Sequence, residues 1–278
     1  MHTLKEFANG FTYIEVSNSA ASAKIALQGA HIFEYAHKGD ENLLWLSRES
    51  RFEEGVAIRG GIPLCWPRFG SLDESMMQHG FARTSFFSFV SAKDIGSAAT
   101  ELHLRLTDSK ESRAHWNHGF ILDVKIIVGQ TLSISLETKN TDVHSFMITQ
   151  ALHSYFKISH IENILIKGLE ECYYFDTLLD EKYKDKESLR ITKEVDRVYM
   201  DTPEKLLLKD GKRELKLQTE GSASTIVWNP WSEKCAKMSY MHKDAYKEFV
   251  CIESANAFDD FVVIQSKKTH RLHLTISF

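Results

Sequence analysis

Cysteine is scarce and scattered: Cys65, Cys172, Cys235 and Cys251 form no C-x-x-C pair. That spacing excludes a zinc knuckle and a redox dithiol, and it predicts reduced thiols packed in the interior. Proline is equally sparse, and no Gly/Ser/Pro-rich stretch divides the composition, so one domain over residues 1–278 is expected. Long apolar runs are missing as well. None approaches the ~18 residues needed to span a bilayer, and the opening MHTLKEFANG has neither a basic n-region nor an apolar h-region, so a cytoplasmic protein without membrane contact is expected. There is no excess of positive charge: 34 Lys and Arg against 38 Asp and Glu leave a formal net charge of −4, which excludes a broad nucleic-acid footprint. Neither a low-complexity tract nor a repeat of 20–50 residues is present, which removes disorder, propellers and solenoids from consideration.

What the chain has in abundance is period-two alternation, the mark of strands that bury one face and wet the other. Leu102, Leu104 and Leu106 share one side of Glu101–Leu106, and the same pattern runs through 131–136, 214–217 and 271–278. Turn signals separate these segments at Lys38-Gly-Asp40, Val128-Gly-Gln130, Lys209-Asp-Gly211 and Glu220-Gly-Ser222. Helical candidates are short, over 48–54 and 233–248. Many antiparallel strands with few helices predict an all-β fold, a large two-layer β-sandwich. The mixed charge run from Asp180 to Arg197 reads as a solvated surface.

Familiar catalytic signatures are absent: no G-x-G-x-x-G, Walker lysine loop, H-E-x-x-H or G-x-S-x-G occurs. His115 and His118 have a spacing that could hold a metal on a helix, but the surrounding alternation predicts strand or loop, where the rings point apart; His270 and His273 fail in the same way. The segment RGGIPLCWPRFGSLDESMMQHGFAR, residues 59–83, is different. It combines Arg59, Arg68, Arg83, Gln78 and His79 with Gly60, Gly61, Pro63, Pro67 and a set of aromatics. Glycines permit close backbone approach to a ligand and prolines stiffen the loop that presents it. His153 sits among apolar residues in TQALHSYF and reads equally as a core histidine or a working one. Glu253 ends the apolar run FVCIE, where a buried carboxylate needs partners or a task. A structural hydrogen bond accounts for it nearly as well as catalysis.

Five ordered blocks then carry a resemblance: Arg59–Gly70, Gln78–Arg83, Ala151–Tyr155, Val227–Trp231 and Val250–Glu253 together resemble the glucose-6-phosphate 1-epimerases, hexose-6-phosphate mutarotases within the aldose 1-epimerase superfamily. The resemblance spans roughly 55–256. It implies a two-layer supersandwich with an open cleft, Glu253 as general base and His153 as general acid, His79 and Asp176 on sugar hydroxyls, and Arg59 and Arg83 with Gln78 at a phosphate. Asp180 competes with Asp176 for the same place. Arg68 departs from the pattern, either as a third charge at the anion site or as a surface residue, and Met238-Ser-Tyr240 lacks the aspartate that the pattern carries.

The implied partner is a small hexose phosphate, bound by a monomer, with neither a metal nor another cofactor. A mutarotase opens the ring at C1 and recloses it, and a carboxylate with a histidine suits the two proton transfers near neutral pH. A mutarotase of unphosphorylated aldoses is the first alternative, disfavoured by the arginine pair. A non-catalytic sugar-phosphate binder is the second, and it leaves an acid and a base without a purpose.

Overall fold

The computed structural model describes residues 1–70 and 77–278. Alternation builds the larger part of it. Phe120–Val128 buries every second residue without a break, and it pairs antiparallel with Ala99–Thr107 on one side and Leu132–Asn140 on the other. The eight-stranded sheet around it runs in the order Ile164–Lys167, Lys205–Asp210, Arg213–Glu220, Thr269–Ser277, Leu132–Asn140, Phe120–Val128, Ala99–Thr107, Ser88–Ile95. The four strands anticipated at 101–106, 131–136, 214–217 and 271–278 all belong to this sheet. Their leucines and isoleucines, among them Leu104, Ile134, Leu217 and Leu274, form one wall of the main core.

A second sheet of eight strands supplies the opposite wall. Its order is Glu181–Lys184, Tyr173–Asp176, Val195–Met200, Ser224–Asn229, Phe249–Asn256, Gln150–Leu152, Leu64–Cys65, with Tyr155–Lys157 also paired to Phe249–Asn256. Ser224–Asn229 and Phe249–Asn256 are buried at every position, so both faces of this sheet's centre are covered. Val227, Val250 and Ile252 point into the main core between the two sheets. Ile226, Trp228, Phe249, Cys251 and Ala255 point the other way, into a second apolar cluster with Trp45, Tyr155 and Val198. A four-stranded meander (His2–Glu6, Thr12–Ser17, Ala21–Ala26, His31–His37) and a two-stranded pair (Phe146–Ile148 with Val262–Ile264) complete the strands.

Helix is confined to short pieces, and the two anticipated segments need correction. Residues 48–54 form no helix, because their polar groups are engaged from a distance: the Ser50 hydroxyl accepts from Arg59 N and the Phe52 carbonyl accepts from Asn9. Within 233–248 the helix Trp231–Cys235 stops early, and only a 3-10 turn at Ala245–Lys247 follows. Tyr240, at φ 60, adopts the left-handed conformation that no α-helix continues through. A further helix, Lys110–His115, went unanticipated; Ser109 caps it with a reciprocal capping box to Ser112. That helix ends at His115, and His118 lies beyond it in extended chain, so the two rings share no helical face.

Trp66 joins the loop of interest to the first sheet. Its fully buried ring packs edge-on against Phe81 and Trp116, and its indole Nε1 donates to Thr138 Oγ1 at 2.9 Å. Thr138→Val keeps the shape and leaves the indole N–H without a partner, so it is expected to lower the unfolding free energy by about 1–3 kcal/mol. Urea denaturation reads this directly. An unchanged midpoint and slope would show that the tie contributes nothing.

Candidate active site

Glu253 reaches the site through strand parity. On Phe249–Asn256 the even positions Val250 and Ile252 face the main core, so Cys251 and Glu253 face the opposite side, next to Trp228 and Ile226 on the neighbouring strand. On the other flank the chain interrupts its pairing between Gln150–Leu152 and Tyr155–Lys157. His153 occupies that gap, with its backbone N–H donating to the Pro63 carbonyl at 3.0 Å. Its Nε2 lies 3.4 Å from Glu253 Oε1. The imidazole stacks on Tyr155 with centroids 4.8 Å apart and an interplanar angle of 8°, and it meets Trp228 and His79 edge-on. The ring is thereby fixed in both position and tilt.

Two polar atoms of this pair have no partner among the described residues: His153 Nδ1 and Glu253 Oε2, both buried. Burial penalises the charged form of each group. Burial first, and then the negative charge of Asp196, pushes the Glu253 carboxyl well above the usual carboxylate range. Burial likewise pushes the His153 imidazole well below its usual range, reinforced by His79 and by the positive charges of Arg83 and Arg59.

The loop that begins at Arg59 is shaped by close backbone contacts. Gly61, at φ 66, passes so near the meander that a Cβ there would lie 2.4 Å from the Ile32 carbonyl oxygen. Gly80, at φ 69, would bring a Cβ within 2.1 Å of the Trp66 carbonyl oxygen. The buried His31 braces the first turn by donating from Nε2 to the Gly60 carbonyl at 2.8 Å, and burial pushes its pKa down to about 4, so it stays neutral. Arg83 follows in the 3-10 turn Ala82–Thr84, and its Nη2 donates to the Gln78 carbonyl at 2.7 Å. His79 accepts from Gly70 N at Nδ1, which leaves its own proton on Nε2. Burial, with Arg83 and Arg59 nearby, pushes His79 down to about 3.

These elements converge on one cavity of about 590 Å³. Arg59, Gln78, His79, Arg83, His153 and Glu253 all line it. Asp176 does not. Its strand pairs it with Arg197, so it lies on the rear face of the sheet, where Leu178 N donates to its Oδ1 and Arg197 Nε sits 3.9 Å from its Oδ2. Asp180 is exposed and is likewise absent from the lining. The acid on the cavity side is Asp196, one residue from Arg197 and therefore of opposite parity, with Thr177 beside it. It lies inside the charge run read from sequence as solvated surface, and the alternation Val195-Asp-Arg-Val-Tyr199 was the available signal. Lys234 approaches Asp196 to 3.9 Å and Glu194 to 2.9 Å. Trp228 and Tyr155 also line the cavity. Of the loop aromatics, Phe69 lines it while Trp66 belongs to the core, and Arg68 is not among the lining residues. His153, Cys251 and Glu253 have ligand-type atoms within 4.8 Å of one another, and burial pushes the Cys251 thiol well above its usual range.

The fold is shared with solved structures. A galactose mutarotase related enzyme from Lactobacillus acidophilus superposes with a TM-score of 0.74 at 14% identity, over 95% of this chain and 96% of that one. The fold is thus that of the galactose mutarotase-like supersandwiches. Sequence likeness is greater for a crystal structure described as a putative mutarotase from Salmonella typhimurium, with a TM-score of 0.92 and 30% identity over 99% of this chain and 92% of that one. An Escherichia coli K12 protein named "Putative glucose-6-phosphate 1-epimerase" is 33% identical over 266 residues, 92% of this chain and 87% of its own length. The chain belongs to the aldose 1-epimerase family, whose pattern matches residues 12–277. It is accordingly an isomerase of the mutarotase kind.

Strand parity makes a direct prediction. Asp196→Asn is expected to lower kcat/KM by about ten- to a hundredfold with little change in melting temperature, the size of one charge-assisted hydrogen bond to substrate. Asp176→Asn should instead lower the melting temperature and leave kcat/KM nearly as it was. Equal losses of activity in the two variants would contradict the assignment of faces.

Proposed function

We propose that this enzyme interconverts the α and β anomers of hexose 6-phosphates, with glucose 6-phosphate as the principal substrate. The observation that carries the proposal is the company kept by Arg59 and Arg83. Both line the cavity that contains His153 and Glu253, and among the described residues no carboxylate lies within ion-pair distance of either. Partly buried guanidinium groups on the wall of a cavity suit a dianionic phosphate, whose oxygens they meet with charge-assisted and often bidentate hydrogen bonds. The relatives' names point the same way.

In this reading Glu253 takes the proton from the C1 hydroxyl while His153 protonates the ring oxygen, so the C1–O5 bond breaks and an open-chain aldehyde forms. Rotation about C1–C2 presents the other face of the carbonyl, and closure reverses both transfers. His79, which carries its proton on Nε2 and stays neutral, donates to a sugar hydroxyl, and the exposed Gln78 lies at the phosphate end. Trp228 and Phe69 supply apolar surface for the sugar. The chemistry consists of two proton transfers and needs no electron carrier.

Glu253→Gln should retain the fold and substrate binding and lower the mutarotation rate by a factor on the order of 10²–10⁴, the usual contribution of a positioned acid or base. Anomer-resolved NMR exchange measures it; a variant with wild-type turnover would remove Glu253 from the chemistry.

The arginines set a preference. Wild type is expected to accelerate glucose 6-phosphate over free glucose by a factor on the order of 10²–10⁴, and the double variant Arg59→Ala, Arg83→Ala should lose most of that margin. Polarimetry on both sugars decides between outcomes. Equal acceleration of the two would favour an epimerase of unphosphorylated aldoses, and binding without acceleration would favour a sugar-phosphate sensor.

A further inference from the structure

Beneath the cavity three side chains of different chemistry come together. Cys251 and Glu253 are two apart on Phe249–Asn256 and so share its cavity side, and Cys251 is paired in register with Tyr155, the residue on whose ring His153 stacks. A ring nitrogen of His153, the Cys251 sulfur and a carboxylate oxygen of Glu253 lie within 4.8 Å of one another. Acid and base account for two of the three groups. Nothing in ring opening uses the thiol.

We propose that His153, Cys251 and Glu253 form an inhibitory site for a thiophilic divalent cation, Zn²⁺ foremost, which stops the enzyme by taking its acid and its base as ligands. The ion is no cofactor of the reaction, and the inference does not depend on which sugar the enzyme prefers.

The distances suit one ion. Ligand–zinc bonds of about 2.0–2.3 Å put the ligand atoms of a tetrahedral site roughly 3.3–3.8 Å apart. His153 Nε2 and Glu253 Oε1 are 3.4 Å apart, inside that range and longer than the about 2.7–2.9 Å of a charge-assisted hydrogen bond. A small turn of the Cys251 side chain brings the sulfur to the same spacing. The Glu253 side chain is only 1% exposed, and its Oε2 has no hydrogen-bond partner among the described residues. An unpaired buried carboxylate oxygen is costly, and a metal bond to the carboxylate offsets that cost.

The donor set selects the ion. Imidazole, thiolate and carboxylate are all zinc ligands, whereas Mg²⁺ and Ca²⁺ take oxygen ligands and gain little from a sulfur and a nitrogen. A thiolate and a carboxylate bring two negative charges to a doubly charged ion, so the occupied site is neutral, which limits the cost of burying it. Asp196 lines the same cavity and favours a cation there, while Arg59 and Arg83 oppose it. Binding breaks the Cys251 S–H bond and forms a metal–sulfur bond, and the thiol proton leaves to solvent together with any proton on Glu253.

Inhibition by the metal alone tests this. Mutarotation is followed by polarimetry in a non-chelating buffer, with glucose 6-phosphate as substrate, or glucose where that proves the better one. Micromolar Zn²⁺ is expected to inhibit wild type, EDTA to restore the full rate, and Mg²⁺ at the same concentration to have no effect. Cys251→Ser should keep the basal rate and need about a hundredfold more Zn²⁺ for the same inhibition, since losing a ligand costs at least as much as losing an outer-shell partner. Cys172→Ser, which removes the partly exposed thiol, should stay as sensitive as wild type. Cd²⁺ added to Cys172→Ser should produce the ultraviolet sulfur-to-cadmium charge-transfer band, and Cys172→Ser, Cys251→Ser should lack it.

No inhibition by Zn²⁺, equal sensitivity of wild type and Cys251→Ser, or loss of inhibition in Cys172→Ser overturns the inference. Where Cys251→Ser does not fold, the cadmium band decides. Weaker Cd²⁺ binding in Cys172→Ser, Glu253→Gln than in Cys172→Ser alone supports the site, and equal binding overturns it.

Discussion

The whole arrangement depends on the register of one strand, Phe249–Asn256, within the second sheet. It is buried on both faces, and alternate residues answer to different demands: Val250 and Ile252 pack against the first sheet, while Cys251 and Glu253 are carried to the cavity side. A slip of one residue would place the carboxylate in the hydrophobic core, at a cost of several kcal/mol, and present Ile252 or Ser254 to the cavity instead. The pairing with Ser224–Asn229 and with Tyr155–Lys157 prevents this, since both neighbours fix the same register. Core packing and the position of the carboxylate are thus two outcomes of the same constraint.

Burial of Glu253 and His153 is unfavourable for folding, and their orphaned Oε2 and Nδ1 atoms add to it. The cost is concentrated in the place where a ligand can relieve it. Around the pair, stacking on Tyr155 and edge contacts with Trp228 and His79 hold the imidazole in place. The loop across from it depends on the rest of the molecule in a similar way. Trp66 anchors it in the first sheet, and the neutral His31 anchors it in the meander.

Much of this was legible in the chain. The leucine and isoleucine alternation of 101–106, 131–136 and 271–278 marks strands whose inner faces meet in the core, and the clustering of Arg59, Gln78, His79 and Arg83 within one glycine-bearing segment marks a cavity wall. Asp176 and Asp196 show where local reading stops. Both lie on strands with mixed neighbours, and which acid faces the cavity is decided by which strand pairs with which, a long-range fact. The charge run hid Asp196 because exposure at its early residues says nothing about the last few, which enter the sheet as Val195–Met200. The segment 233–248 misled for a different reason: its residues favour helix, but Tyr240 in the left-handed region diverts the backbone so that its carbonyl can accept from Ser47.

The close approach of Gly80 to Trp66 bears on how such a pocket can change its clientele. With the Trp66 carbonyl 2.1 Å from any Cβ at Gly80, and the Ile32 carbonyl 2.4 Å from any Cβ at Gly61, the backbone of the recognition loop cannot be retuned at these points without unseating it. Variation is channelled to side chains that stand on the frame, Arg59, Gln78 and Arg83 among them. New substrates would therefore arise by exchanging side chains that line the cavity, while the backbone frame that carries them is inherited unchanged.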